Sequence, residues 1–451
     1  MALYPALEQW QAKGNYKGIR QLTVPTRSEG DRYRCSTEFI EAVTHYCPNI
    51  QFLDGPQVVI QDNVKCEDRW VISVDTWEKF NRTCTGLRAF HWAAVPFADP
   101  YFQVFGEYPK PQLKDLTISA NLLWDWKEYF LACGDTDAAA DRASGKDGYG
   151  RRAKNVEGVF KGCPGLTSIT VALDLHAYAE AACEHFNIDV FGDTFWITAA
   201  ANCPLLESIR IENATPYEDD IDMRLEPIQT FTDASLLKLA ELEFLSSVEI
   251  YGSVMCTGDG IFEYLRCMST SKAFESDWMG RCLCVHVGGQ PYGHFGQPLF
   301  YTAAITVLRR LTEISEEELG AAASRYRTTL TIANPYRSVV SRKWSVAFMR
   351  DQLKPLLEKL KTMHPALFVS ITVNRRVEDS FARIAEFRLS WHSIHTDQKL
   401  FNDEIEGNLY QDPNVDMAEG LAGTFGPHFQ EAGRDDIGEV VASFLRGGNH
   451  L

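Results

Sequence analysis

The chain has 451 residues, 45% hydrophobic and 23% charged, with a formal net charge of −17. That is ordinary globular composition with ample material for a core, and it lacks the basic footprint that neutralising nucleic-acid phosphates requires. No stretch of 18 consecutive apolar residues is present, which argues against a membrane-spanning helix.

The first ten residues show neither a basic region nor an apolar run, so no signal peptide is expected. The 12 cysteines are accordingly read as reduced, mostly buried thiols of a cytoplasmic or nuclear protein. Two sequons, at Asn81 and Asn213, are chance matches on that reading.

In chain order, Ile19, Leu22 and Val24 make a first weak strand pattern. Ser36 is placed to cap a helix whose apolar stripe is Phe39, Ile40, Val43 and Cys47. The helix runs into Cys47-Pro48-Asn49-Ile50 and the strand residues Phe52 and Leu53. Residues 56–75 read as an insertion with two β-rich pieces, Val58 to Ile60 and Trp70 to Val74. A helix carrying Trp77 and Phe80 leads to Cys84, Leu87, Phe90 and Trp92. The next copy is Leu113, Leu116 and Ile118, with Lys110 in the cysteine's place. Residues 122–133 look helical, and 134–155 form a small, polar loop expected to be mobile.

Cys163, Leu166, Ile169 and Val171 repeat the pattern. So do Cys203, Leu206, Ile209 and Ile211, the clearest copy, and then Leu245, Val248 and Ile250. Further copies begin at Cys282 (with Val285 and Val287), at Arg327 (with Leu330 and Ile332) and at Phe368 (with Ile371 and Val373). Ile384, Phe387 and Leu389 make a last, closely spaced copy. From Ile50 onward the first anchors recur at steps of 26 to 53 residues, most near 40, the mark of a repeat array with variable connections.

In each copy the anchors point into the layer between a strand and its helix, and the residues between them face solvent. Stacked copies put the strands in one parallel sheet with helices outside. Helices are wider than the ~4.8 Å strand spacing, so the stack bends into a horseshoe with the strands on the concave side. Cysteine is small enough for the dry corner where helix meets strand. The expected fold is an α/β solenoid over residues 1–395, with insertions at 56–75 and 134–155. An acidic cap or tail follows at 396–451, holding 11 Asp and Glu against 3 Lys and Arg. In the tail Phe401, Ile405 and Leu409, and later Ile437, Val440, Val441 and Leu445, are spaced for amphipathic helices that cover the end of the array.

The Cys-Pro-x-Leu-x-x-Ile-x-Ile/Val motifs at 163–171 and 203–211 resemble the leucine-rich repeat family, in the cysteine-containing type found in F-box proteins. The whole is similar to the large irregular leucine-rich repeat proteins of filamentous fungi. Steps near 40 exceed that family's usual 20–29 residues. Repeat-like sequence begins by residue 19, leaving no room for an F-box before it. The resemblance implies a horseshoe that recognises proteins. Its alternative implication is a substrate receptor of a cullin-type ubiquitin ligase whose F-box is encoded elsewhere.

Catalytic patterns are weak. Gly288 to Gly296 follows a strand but lacks the Gly-Lys-Ser/Thr of a phosphate loop. His392, His395 and Asp397 lack further metal ligands at fixed spacing, and Cys282 with Cys284 is too close for a zinc knuckle. The acidic run from Glu218 to Asp222 lacks the glycine and final glutamate of an EF-hand. The chain is read as non-catalytic, without metal or cofactor. A ligand or enzymatic pocket near 286–296 and 392–397 is the remaining alternative. Strand register nominates Arg88, His91, Lys114, Asp115, Thr117, Thr167, Thr170, Glu207, Arg210, Glu212, Glu249, Tyr251 and His286 as partner-binding residues. The net charge favours a basic protein partner, with no nucleic acid and no membrane.

Overall fold

A computed structural model describes residues 3–13, 18–23, 37–54, 72–92, 95, 98–121, 154–174, 188–214, 228–268, 281–287, 296–319, 328–334, 349–365, 367–378, 384–392 and 404–407. The chain forms two compact units, Met1–Met223 and Arg224–Leu451. Among the described residues no helix is long and apolar enough to cross a membrane.

The first unit alternates helices and strands: α1 (Leu3–Ala12), β1 (Gln21–Thr23), α2 (Thr37–Tyr46), β2 (Phe52–Asp54), α3 (Val74–Thr83), β3 (Ala89–Trp92), α4 (Asp99–Glu107) and β4 (Asp115–Asn121). A 3-10 turn, Val156–Gly162, precedes β5 (Ser168–Asp174). A second, Ile188–Phe191, and α5 (Asp193–Asn202) precede β6 (Ser208–Ala214). The strands are parallel and lie in chain order, because parallel neighbours need a crossover and each intervening stretch supplies one.

The predicted anchors form two buried rows across this sheet. Phe90, Leu116, Ile169 and Ile209 are in register, as are Trp92, Ile118, Val171 and Ile211, and all eight are buried. The turn into each strand repeats one corner. The corner residue's N–H bonds back to its helix: Cys47 to Val43, Cys84 to Phe80, Cys203 to Ala199. At Cys47, Lys110, Cys163 and Cys203 the corner carbonyl then accepts from the residue three on, at 3.0 to 3.3 Å. The thiols donate as well, Cys163 Sγ to the Val159 carbonyl in its own turn and Cys203 Sγ to the carbonyl of Cys163 at the preceding corner, both at 3.4 Å.

Lys110 fills the same corner and is fully buried. The carbonyl of Phe105 would ordinarily accept from the N–H four residues on, but that residue is Pro109, which has none. Lys110 Nζ takes its place, donating to the Phe105 carbonyl at 2.6 Å and to the Tyr108 carbonyl at 2.8 Å. It also lies 3.9 Å from the centre of the Phe105 ring. Burial pushes its pKa down from the ordinary 10.5 to about 8, against a smaller upward pull from Cys163.

Between α4 and the following turn, backbone meets backbone. A Cβ at Gly106 would collide with the Gly158 carbonyl oxygen, and one at Gly162 would come 2.7 Å from the Gly106 oxygen. Asp99, at the start of α4, holds the next turn, accepting from the N–H groups of Lys154 and Asn155 at 2.6 and 3.0 Å and from Asn155 Nδ2 at 2.7 Å. Asn81 of the first sequon is buried and donates to the Trp77 carbonyl, so no glycan can sit there in the folded chain.

Ser73 accepts from the Thr76 N–H and caps α3, so residues 73 and 74 begin a helix rather than ending a β-rich piece. The predicted strand at 58–60, the helix at 122–133 and most of the loop at 134–155 lie outside the described residues, as do Ser36 and the predicted helical residues of the tail after 407.

The second unit contains α6 (Asp233–Leu239), β7 (Ser247–Val254), α7 (Gly258–Met268), β8 (Arg281–Val287), α8 (Gly296–Leu311) and β9 (Thr328–Asn334). A π turn, Met349–Leu353, opens into α9 (Lys354–Met363), followed by β10 (Leu367–Glu378), β11 (Ile384–His392) and β12 (Glu404–Gly407). Strands β7 to β10 are parallel neighbours in chain order. Asp233, at the start of α6, accepts from Thr257 N at 2.7 Å and Thr257 Oγ1 at 2.6 Å and so fixes the start of α7, as Asp99 fixes the turn after α4.

Four expectations change here. Cys282 is not a core anchor: Leu283 and Val285 are level with Val248 and Ile250 and are buried, which turns Cys282 to the opposite face. In β10 the residues level with Leu330 and Ile332 are Val369 and Ile371, two positions before the pair that spacing assigns. The copy at 384–389 runs antiparallel to β10, since the five residues between them are too few for a parallel crossover. Ile405 lies in β12, which pairs antiparallel with β11 through Glu404-Ile-Glu-Gly407, whose alternation suits a strand better than a helix.

Candidate interaction face

In the first unit the residues between the buried rows also fall into register. His91, Thr117, Thr170 and Arg210 form one open row across β3 to β6, and Ala89, Asp115, Ser168 and Ser208 form another. Each row crosses three strand spacings, about 14 Å. Arg210 and Asp115 are exposed, and His91, Thr117 and Thr170 are half-buried. Glu212 lies further along β6, level with Ala172.

A further row runs along the starts of the strands: Arg20, Gln51, Arg88, Lys114, Thr167 and Glu207. Its backbone is a continuous ladder. Gln51 N–H donates to the Arg20 carbonyl at 2.7 Å, Arg88 to Gln51 at 2.6 Å, Lys114 to Arg88 at 2.7 Å, Thr167 to Lys114 at 2.9 Å and Glu207 to Thr167 at 2.8 Å. Arg20, Arg88, Lys114 and Glu207 are exposed. Spacing alone nominates Arg88, Lys114, Thr167 and Glu207 but misses Arg20, because the first repeat's motif is weak and only the ladder shows its level. Burial raises the Asp115 carboxyl above the usual range, and Lys114 opposes that shift.

In the second unit Glu249, Cys284, Thr331 and Ser370 share a row, of which Glu249 and Thr331 are half-buried and Cys284 and Ser370 buried, and Ser247, Cys282 and Thr329 share the neighbouring one. Ser247 Oγ donates to Glu249 Oε1 at 3.2 Å. Two residues, Tyr251 and Gly252, bulge out of the β7–β8 ladder, so His286 is level with Ser253. Tyr251 therefore stands outside the regular row that alternation assigns it. Burial, with Glu249 beside it, pushes the Cys282 thiol up to about 11; burial first, then Cys282 and Glu249, pushes Cys284 up to about 12. The corner thiols Cys84 and Cys163 rise to about 12 and about 11, chiefly through burial. These thiols are protonated at neutral pH, which does not suit nucleophilic chemistry.

Residues 288–295 and 393–397, which carry the glycine loop, His395 and Asp397, lie outside the described residues, as does the acidic run from Glu218 to Asp222. Among the described residues no three His, Cys, Asp or Glu side chains are grouped to hold a metal ion, and the described cysteines are free.

The fold defines an α/β array in which successive helix–strand units lay parallel strands side by side in chain order, within each compact unit. No protein-family model matches the chain, and no curated protein does so either.

Proposed function

We propose that the protein is a non-catalytic, leucine-rich-repeat-type recognition scaffold that binds a protein partner on the strand side of its sheet. The observation that carries this reading is the in-register alignment of polar side chains opposite a base of fully buried anchors, His91, Thr117 and Thr170 half-buried and Arg210 exposed. Such a face is rigid because every second residue is fixed in the core. It is also chemically varied, which suits specific recognition more than turnover. The partner contacts are Arg88, His91, Lys114, Asp115, Thr117, Thr170, Glu207, Arg210 and Glu212 in the first unit and Glu249, Tyr251 and His286 in the second.

The test is affinity purification of the full-length chain from its own cells beside two variants, Arg210→Glu for the first unit and Glu249→Lys for the second. Loss of a co-purifying protein in either variant, with folding intact by circular dichroism, locates the face. Equal recovery of every partner with all three proteins refutes it. A cullin-ligase adaptor recovered equally with all three would instead favour the ligase-receptor reading.

A further inference from the structure

The chain carries 61 acidic against 44 basic residues, yet the strand-start row of the first unit places Arg20, Arg88 and Lys114 within three strand spacings of one another. All three are exposed, and neither arginine forms an ion pair among the described residues. By contrast, Arg82 on α3 pairs with Glu78, and Arg310 on α8 pairs with both Asp259 and Glu263. Among the described residues, then, Arg20 and Arg88 are cations without an ion pair, gathered with Lys114 on one edge of an acidic protein and placed to meet a ligand. At physiological ionic strength, charges further than about 8 Å are largely screened. The local row therefore outweighs the net charge of the whole chain in deciding what seats there.

Resting on the scaffold reading above, we propose that this row seats an acidic, extended segment of the protein partner. Arg20 to Lys114 spans three strand spacings, about 14 Å, which an extended chain covers in four to five residues at about 3.3 Å each. Carboxylates near the two ends of such a segment meet Arg20 and the Arg88–Lys114 pair, while Gln51 separates them. Glu207 closes the row at its β6 end and confines the seat to the β1–β4 side. Asp115, directly after Lys114, competes for the same cation. A nucleic acid is a poorer occupant, since a row of three cations neutralises few of its closely spaced phosphates.

The test uses the full-length chain and fluorescence anisotropy with a labelled ten-residue peptide of alternating glutamate and serine, at low and at physiological salt. The wild-type chain is expected to bind it. An Arg20→Glu/Arg88→Glu/Lys114→Glu variant should lose at least tenfold in affinity, and Asp115→Asn should tighten binding. A Lys13→Glu/Lys79→Glu/Lys161→Glu variant makes the same charge change at exposed positions elsewhere in the unit and should stay within twofold of wild type. No binding by the wild-type chain at low salt, equal losses in both triple variants, or tighter binding of an oligonucleotide of the same charge would each overturn the proposal. Peptide failure with partner capture still sensitive to Arg210→Glu removes the acidic-segment assignment alone. Loss of that sensitivity removes the scaffold reading itself.

Discussion

Lys110 offers a measurement whose size follows from its surroundings. Its ammonium is buried at the end of α4 and titrates near 8 in the folded chain against 10.5 for an ordinary lysine. Between those values the unfolded chain binds more protons than the folded one, so stability rises with pH. Below pH 8 the fold carries the full cost of the buried charge, and above 10.5 it carries none. From pH 7 to pH 9.5 the recovered stability amounts to about 2 kcal/mol. Lys110→Met keeps the length of the stem and removes the proton site. It also strands the Phe105 and Tyr108 carbonyls, at about 1–3 kcal/mol each, a cost that does not vary with pH. The readout is therefore the difference in unfolding free energy between wild type and variant, from urea titrations at both pH values. Wild type should gain about 2 kcal/mol on the variant as pH rises. A difference that is flat with pH, or that moves the other way, would refute the burial argument. Buried thiols such as Cys163 titrate higher and act in the opposite direction, but they are present in both proteins and largely cancel.

Two further outcomes follow from close contacts. Gly106→Ala drives a methyl group into the Gly158 carbonyl and should cost about 3 kcal/mol or prevent folding of the first unit, whereas Gly86→Ala, whose Cβ meets only the Ile50 oxygen at 3.8 Å, should be tolerated; thermal unfolding distinguishes them. Asp233→Ala removes both bonds to Thr257 and should cost about 1–2 kcal/mol, with faster hydrogen exchange at the Thr257 amide; an unchanged amide rate would show that the clamp is not what holds α7.

The spacing of apolar residues is a local property, and what it reports well is local. Leu166, Ile169 and Val171, or Leu206, Ile209 and Ile211, are buried as their pattern requires, because alternation and burial have one cause. Direction and level across strands are not local. Nothing in Ile384 to Leu389 says that the strand runs backwards; the brevity of the connection before it does. The Tyr251–Gly252 bulge shifts the partner of His286 without disturbing the apolar alternation on either side. Cys282 misleads because cysteine serves as a corner in the first unit, whereas here it lies inside a strand. The face residues Arg88, His91, Lys114 and Arg210 are legible from their position between anchors. Arg20 is not, because its repeat is short of anchors, and the Asp99 and Asp233 clamps depend on side chains reaching across helix starts that the one-dimensional pattern never brings together.

In each unit the parallel strands add in chain order, and this bears on how such a chain changes over time. The distance along the sequence from Leu87 to Leu113 is 26 residues and from Leu113 to Leu166 is 53, yet β3, β4 and β5 hold the same register. Doubling a flexible connection costs only about 0.6 kcal/mol of closure entropy. Insertions and deletions between strands are thus nearly free, while a single-residue slip inside one would expose a whole row of anchors. Descendants of this chain are expected to differ most in the length and chemistry of their connections, and to inherit the spacing within their strands almost unaltered.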